Sequence, residues 1–198
     1  MTTSRGALAA SLAILTLTVT ASAQGPTPPP FQTPNPNYVS IPLEITVNKP
    51  AAEVWKRVGK YCDIGEWLQI PCMITSGKDG EFGAVRSVAN EILVGKTELS
   101  YTYTQPVRTD RPYNLYHGTV EVRPLTATTS KIVYTLVFDN SMLPDDAARE
   151  RDKAQRTAQF TRAIQNMKTL AEGGTLPPPP PRGQGAPAGG APPTGRGN

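Results

Sequence analysis

The sequence predicts an α+β fold in which antiparallel strands curl around one long C-terminal helix. Three observations predict it. Asp145 to Glu172 contains no Pro or Gly and is rich in Ala, Arg, Lys, Glu and Gln, the residues that favour a helix. Most of Tyr38 to Phe138 alternates apolar and polar residues, the two-residue period of half-buried strands. The order of elements is one strand, two short helical segments, several strands and then the long helix, which separates an α+β fold from alternating βαβ units.

Tyr38 to Val47 opens the domain. Val39, Ile41, Leu43, Ile45 and Val47 share one phase, and Pro42, which lacks a backbone donor, places this strand at a sheet edge or a bulge. Asn48-Lys49-Pro50 predicts a helix start, with Asn48 as cap and Pro50 in the first turn. Ala51, Val54, Trp55 and Val58 form the apolar side of that helix, Gly59 ends it, and a second short helix is expected from Asp63. Short strands follow near Met73 to Ser76 and Ala84 to Ala89, joined through Gly77-Lys78-Asp79-Gly80. Glu91 to Val94 and Thr97 to Thr104 read as a hairpin across a two-residue Gly95-Lys96 loop. Gln105 to Pro112 is a loop. Asn114 to Arg123 then sets Tyr116, Gly118, Val120 and Val122 in one phase and His117, Thr119 and Glu121 in the other. Lys131 to Phe138 returns with Ile132, Tyr134, Leu136 and Phe138 in phase.

The terminal helix has Asp145 or Asp146 to cap it and Gly173-Gly174 to stop it. Phe160, Ile164, Met167 and Ala171 form one apolar stripe, extended weakly by Ala147, Ala154 and Ala158. Arg149, Asp152, Arg156 and Arg162 take the opposite face. A helix with one greasy face needs a sheet to cover it, and a sheet that curls around it leaves a cavity between the two.

The folded unit is expected at 38–173. Residues 1–23 read as a secretory signal, with Arg5, an apolar run from Ala7 to Val19 and an Ala21-Ser22-Ala23 cleavage site before Gln24. The apolar run is too short and too Thr-rich for a bilayer span, so export to the periplasm or beyond is expected, with no lasting membrane anchor. Residues 24–37 hold six prolines and form a stiff linker, and 174–198, with Leu176 and a proline run at 177–181, form a Pro/Gly-rich tail expected to be disordered.

The net charge of +4 is not a nucleic-acid signature. The domain holds 17 Lys+Arg against 16 Asp+Glu, a net of +1, and the remaining basic residues are Arg5, Arg182 and Arg196 in the tails. No segment joins clustered basic residues with interleaved aromatics. Cys62 and Cys72 would meet an oxidising compartment after export and are expected to form a disulfide, two buried thiols being the alternative. Two Cys and one His do not make a metal set, and no phosphate-binding glycine loop or nucleophile motif occurs in the domain, so no cofactor is expected.

Taken together, several segments resemble the START-like, Bet v 1-like helix-grip superfamily (SRPBCC), which includes polyketide cyclase/dehydrase and lipid-transport proteins. The likeness is carried by the first strand followed by Lys49-Pro50-Ala51-Ala52-Glu53-Val54-Trp55, by Asp63-Ile64-Gly65-Glu66-Trp67 and by Gly83-Ala84-Val85-Arg86. It continues through Glu91-x-Leu93, Leu99 to Tyr103, Leu115-Tyr116 and Ile132 to Phe138. The resemblance implies a curved seven-stranded antiparallel sheet gripping the C-terminal helix, two short helices after the first strand, and a cavity for a lipid or another largely apolar molecule.

A cavity of that kind binds through apolar lining and a few placed polar groups. By strand and helix phase the inward candidates are Tyr101, Tyr103, Tyr116, Tyr134, Phe138, Phe160, Ile164 and Met167. Glu91 shares a phase with Leu93 and would need a partner if buried; Arg86 is the candidate, and the two together are the candidates for a head-group anchor or an acid–base pair. His117, the single histidine, falls on the outer phase and away from catalysis. The leading expectation is an exported protein holding a small hydrophobic or amphipathic ligand. The alternatives are a cyclase/dehydratase-type enzyme using Glu91, Arg86 or a pocket tyrosine, and an envelope interaction module with no ligand.

Overall fold

In a computed structural model of the chain, residues 35–107 and 113–179 are described. The stretch read as a signal, most of the expected linker, residues 108–112 of the expected loop and the tail from residue 180 onward lie outside them. No helix among the described residues is long and apolar enough to cross a membrane.

Strand β1 (Tyr38–Val47) is followed by helices α1 (Ala51–Val58) and α2 (Ile64–Trp67), strands β2 (Ile74–Ser76), β3 (Val85–Arg86), β4 (Glu91–Thr97), β5 (Ser100–Thr104), β6 (Tyr116–Pro124) and β7 (Ser130–Asp139), and helix α3 (Asp146–Ala171). The strands form one seven-stranded sheet in the order β1-β7-β6-β5-β4-β3-β2, every pair antiparallel. This is the helix-grip α+β architecture that the sequence implied. Pro42 sits on an edge strand, where its missing donor costs no ladder bond on the solvent side. Burial alternates along β6 and β7 in the expected phase, so Tyr116, Gly118, Val120 and Val122 face Ile132, Tyr134, Leu136 and Phe138 across one inner surface. α3 packs most closely on β1 and also touches α1, α2 and β7.

The two ends of α3 are fixed differently. Asp145 caps the N-terminus by accepting a hydrogen bond from the Ala148 amide. At the C-terminus Lys168 Nζ donates to the Thr46 carbonyl at 2.9 Å, and Glu172 accepts from the Asn48 amide at 2.8 Å. Asn48 therefore does not cap α1 as expected. That helix starts after Pro50, whose carbonyl receives the Glu53 and Val54 amides. Arg57 and Glu66 join α1 to α2 through a two-bond fork at 2.7 and 2.6 Å. Cys62 and Cys72 are bonded in a disulfide, with their Cα atoms 5.6 Å apart.

Three expectations are corrected. The β4–β5 hairpin turns at Glu98-Leu99, not at Gly95-Lys96, which pair with Thr102 and Tyr101. Gly95 absorbs a register shift, and the turn is closed by Thr97 Oγ1, which lies 2.7 Å from Ser100 Oγ and accepts from the Leu99 amide. Strand β3 is cut to two residues because the chain reverses through Ala89 and Asn90, both with positive φ (53° and 55°). Finally, Ala147, Ala154 and Ala158 are exposed, and Arg156 turns inward with Asp152 beside it. Alanine offers little area to bury, whereas the Arg156 guanidinium stacks over Tyr113 and Tyr116 and hydrogen-bonds both hydroxyls. The buried face of the helix is Phe160, Ala163, Ile164, Asn166, Met167 and Leu170, with Asn166 donating to the Trp67 carbonyl at 2.9 Å. Beyond Gly173, Leu176 packs against the core and Gln69 donates to the Pro177 carbonyl, so contact with the domain extends into the first residues of the tail.

Candidate functional site

The hairpin between β3 and β4 sets Arg86 directly opposite Glu91. Both are buried, and Arg86 Nη2 lies 2.6 Å from Glu91 Oε2 while its Nε donates to the same oxygen at 2.7 Å. Gln105 Nε2 donates to the other Glu91 oxygen at 3.0 Å. Arg86 Nη1 donates to the Tyr61 carbonyl at 2.5 Å and reaches Tyr101 Oη at 3.5 Å. Its guanidinium also lies over the rings of Tyr61 and Tyr103, 4.3 and 4.6 Å from their centroids. Burial works against the Arg86 charge, but the Glu91 carboxylate opposite outweighs it and raises the pKa, so the guanidinium stays cationic.

The remaining interior candidates pack on one another. Tyr103 and Tyr134 share a hydroxyl–hydroxyl bond at 2.8 Å, and Tyr134 also packs on Phe160, with ring centroids 4.9 Å apart. Tyr116 stacks on Phe138 at 5.8 Å. Gly118 makes room for this layer, since a Cβ there would come within 2.3 Å of the Tyr103 ring. Ile164 and Met167 are buried in the same core. Burial pushes Tyr101, Tyr103 and Tyr134 above the usual phenol range, and it lifts Tyr116 to about 12 although Arg156 opposes it. The phenols under α3 thus stay neutral and bond within the protein. His117 lies on the other face, half-buried, with burial lowering its pKa and Thr104 Oγ1 3.4 Å from its Nε2.

Open volume lies to one side of this layer. A cleft of about 680 Å³ runs between α1 with the residues after it and the β4–β5 hairpin. Trp55, Tyr61, Leu93 and Tyr101 give it an apolar side, and Lys56, Lys60, Lys96, Asp79, Glu98, Thr97 and Ser100 give it a polar rim. Its floor is built. Gly59 lets the Trp55 ring fold back over the end of α1, where a Cβ would meet the ring at 2.3 Å. Trp55 lies 5.8 Å from Tyr101 and Tyr61 meets Tyr101 edge-on at 5.4 Å, while Arg86 braces both tyrosines from behind. Lys96 Nζ donates to the Gly80 carbonyl at 2.6 Å and fixes the far wall.

Of the residues proposed from sequence as cavity lining, Tyr101 borders this cleft and the others lie in the packed interior. The apolar pattern of α1 predicts Trp55 on its core side, whereas the structure leaves it only partly buried. Its partial exposure follows from Ala51, Val54 and Val58 taking the buried face. The spacing Lys56-x-x-x-Lys60 beside Trp55 and Gly59 was the available signal for the cleft.

No family model and no curated protein matches the chain. Several solved structures share its fold. A protein of Thermobifida fusca solved by solution NMR is 22% identical, over 67% of this chain and 92% of that one, with a TM-score of 0.52. The Zhui aromatase/cyclase of Streptomyces sp. R1128 is 18% identical, over 70% of this chain and 100% of that one, with a TM-score of 0.53. Truncated norcoclaurine synthase of Thalictrum flavum is 12% identical, over 73% of this chain and 99% of that one, with a TM-score of 0.52. The chain shares the helix-grip fold of these structures. Its chemistry must be argued from its own site, because one fold hosts many functions.

Proposed function

We propose that this is an exported protein that binds a small hydrophobic or amphipathic molecule in the cleft between α1 and the β4–β5 hairpin. The observation that carries the reading is the pairing, in about 680 Å³, of a Trp55–Tyr101 floor with a lysine-bearing rim. That volume lies within the roughly 300–1,000 Å³ of small-molecule sites. The disulfide supports a location outside the reducing cytosol, in line with the signal read at 1–23. The cyclase/dehydratase alternative has solved enzymes of the same fold behind it, but Glu91 and Arg86 are committed to each other and neither borders the cleft.

Fractionation of the source cells into cytoplasm, periplasm and medium, with native mass spectrometry of the protein from each, tests both halves. The expected species begins at Gln24 and carries a small-molecule adduct that the cleft-filling variant Ser100→Trp loses. A chain retaining Met1 and confined to the cytoplasm contradicts export. An adduct untouched by Ser100→Trp contradicts the cleft.

A further inference from the structure

Resting on that reading of the cleft, we propose that its ligand is an anion: a molecule with a flat or chain-like apolar body and a carboxylate, sulfonate or phosphate at one end. The apolar body lies on Trp55 and Tyr101, and the anionic end meets Lys56 and Lys60.

The end of α1 carries three basic residues in close succession, and they are used differently. Arg57 is spent on the two-bond fork to Glu66. Lys56, in the last turn of α1, and Lys60, just past its end, both border the cleft and make no ion pair among the described residues. Two cations bordering the same side of a cleft both attract an anion placed there. On the opposite wall Lys96 is held by the Gly80 carbonyl, and Asp79 and Glu98 bring negative charge. The polarity across the cleft therefore directs an anionic end toward α1 and away from the hairpin. The floor between the walls is aromatic and offers its ring faces to an apolar body.

A probe series with one ring system and three charges tests this: 2-naphthoate, neutral 2-naphthol and 2-naphthylmethylammonium, each titrated against tryptophan fluorescence. Trp55 borders the cleft and reports binding, while Trp67 is fully buried. The expected result is that naphthoate binds several-fold to roughly tenfold tighter than the other two, as two exposed cations allow. The double variant Lys56→Gln/Lys60→Gln should bring naphthoate down to the level of naphthol and leave naphthol where it was. Both lysines are exposed, so circular dichroism should show the variant folded. Equal binding of all three probes, or tighter binding of the ammonium, overturns the anion assignment and leaves the cleft reading standing. No binding of any probe overturns both.

Discussion

Arg156 of α3 lies over the ring of Tyr113, its Cζ 4.3 Å from the ring centroid, and donates through Nε to the Tyr113 hydroxyl at 3.1 Å. Asp152, one turn earlier, accepts from that hydroxyl and pairs with Arg156 at 3.3 Å. A helix turn that the sequence pattern places in solvent is instead clasped to the sheet.

Arg156→Met should therefore cost about 2–3 kcal/mol in urea unfolding, because it leaves Asp152 and two buried phenols without their partner. Arg149→Met should cost less than about 1 kcal/mol, since its carboxylate partner, Asp146, is solvent-exposed. Equal losses for the two variants would show that the clasp adds nothing to the helix.

The buried Arg86–Glu91 pair should behave as a unit. Glu91→Ala or Arg86→Met alone strands a charge in the interior and is expected to cost about 3–5 kcal/mol. The double variant should cost much less than the sum, which a double-mutant cycle measures directly. Additive losses would mean that the two side chains are stabilised independently.

Alkaline pH should unfold the protein cooperatively. The buried phenols titrate higher in the folded chain than in the unfolded one, where the ordinary value is 10.0, and Tyr116 is lifted to about 12. A raised pKa means that the stability is fully present below the unfolded value and is lost as pH climbs through the folded one. Tyr116 alone accounts for roughly 2–3 kcal/mol across that window. Tyrosinate absorbance and circular dichroism should change together between about pH 10 and 12. Phenol ionisation well ahead of the loss of structure would contradict the packing described for the interior.

The disulfide should hold the segment that carries Tyr61 and α2. Reduction, or Cys62→Ala/Cys72→Ala, is expected to lower stability by about 2–3 kcal/mol. A thiol reagent should find no reactive group in the denatured, unreduced protein. Two titratable thiols there would exclude the bridge.

Much of the fold was legible in the residues because each element repeats its own signal. Five apolar positions in phase mark β1, and the run from Asp145 to Glu172 without Pro or Gly marks α3. The Arg86–Glu91 pairing was also legible as a candidate contact across adjacent strands. What period alone misses is competition between signals. Gly95-Lys96 carries turn residues, yet the Thr97 and Ser100 hydroxyls close a better turn three residues later. Arg156 reads as surface until three aromatic rings gather around it from segments distant in sequence. The cleft was hidden for the same reason, since its lining comes from α1, the segment ending in Tyr61, the turn at 79–80 and the β4–β5 hairpin.

Chemical-shift mapping of 15N-labelled protein with 2-naphthoate locates the binding site most directly. Shifts concentrated at Gly59, Lys60, Tyr61, Thr97 and Ser100 are the expected result. Shifts centred instead on Tyr134, Phe160, Ile164 and Met167 would place the ligand under α3, and an unchanged spectrum would leave the cleft without a ligand of this kind.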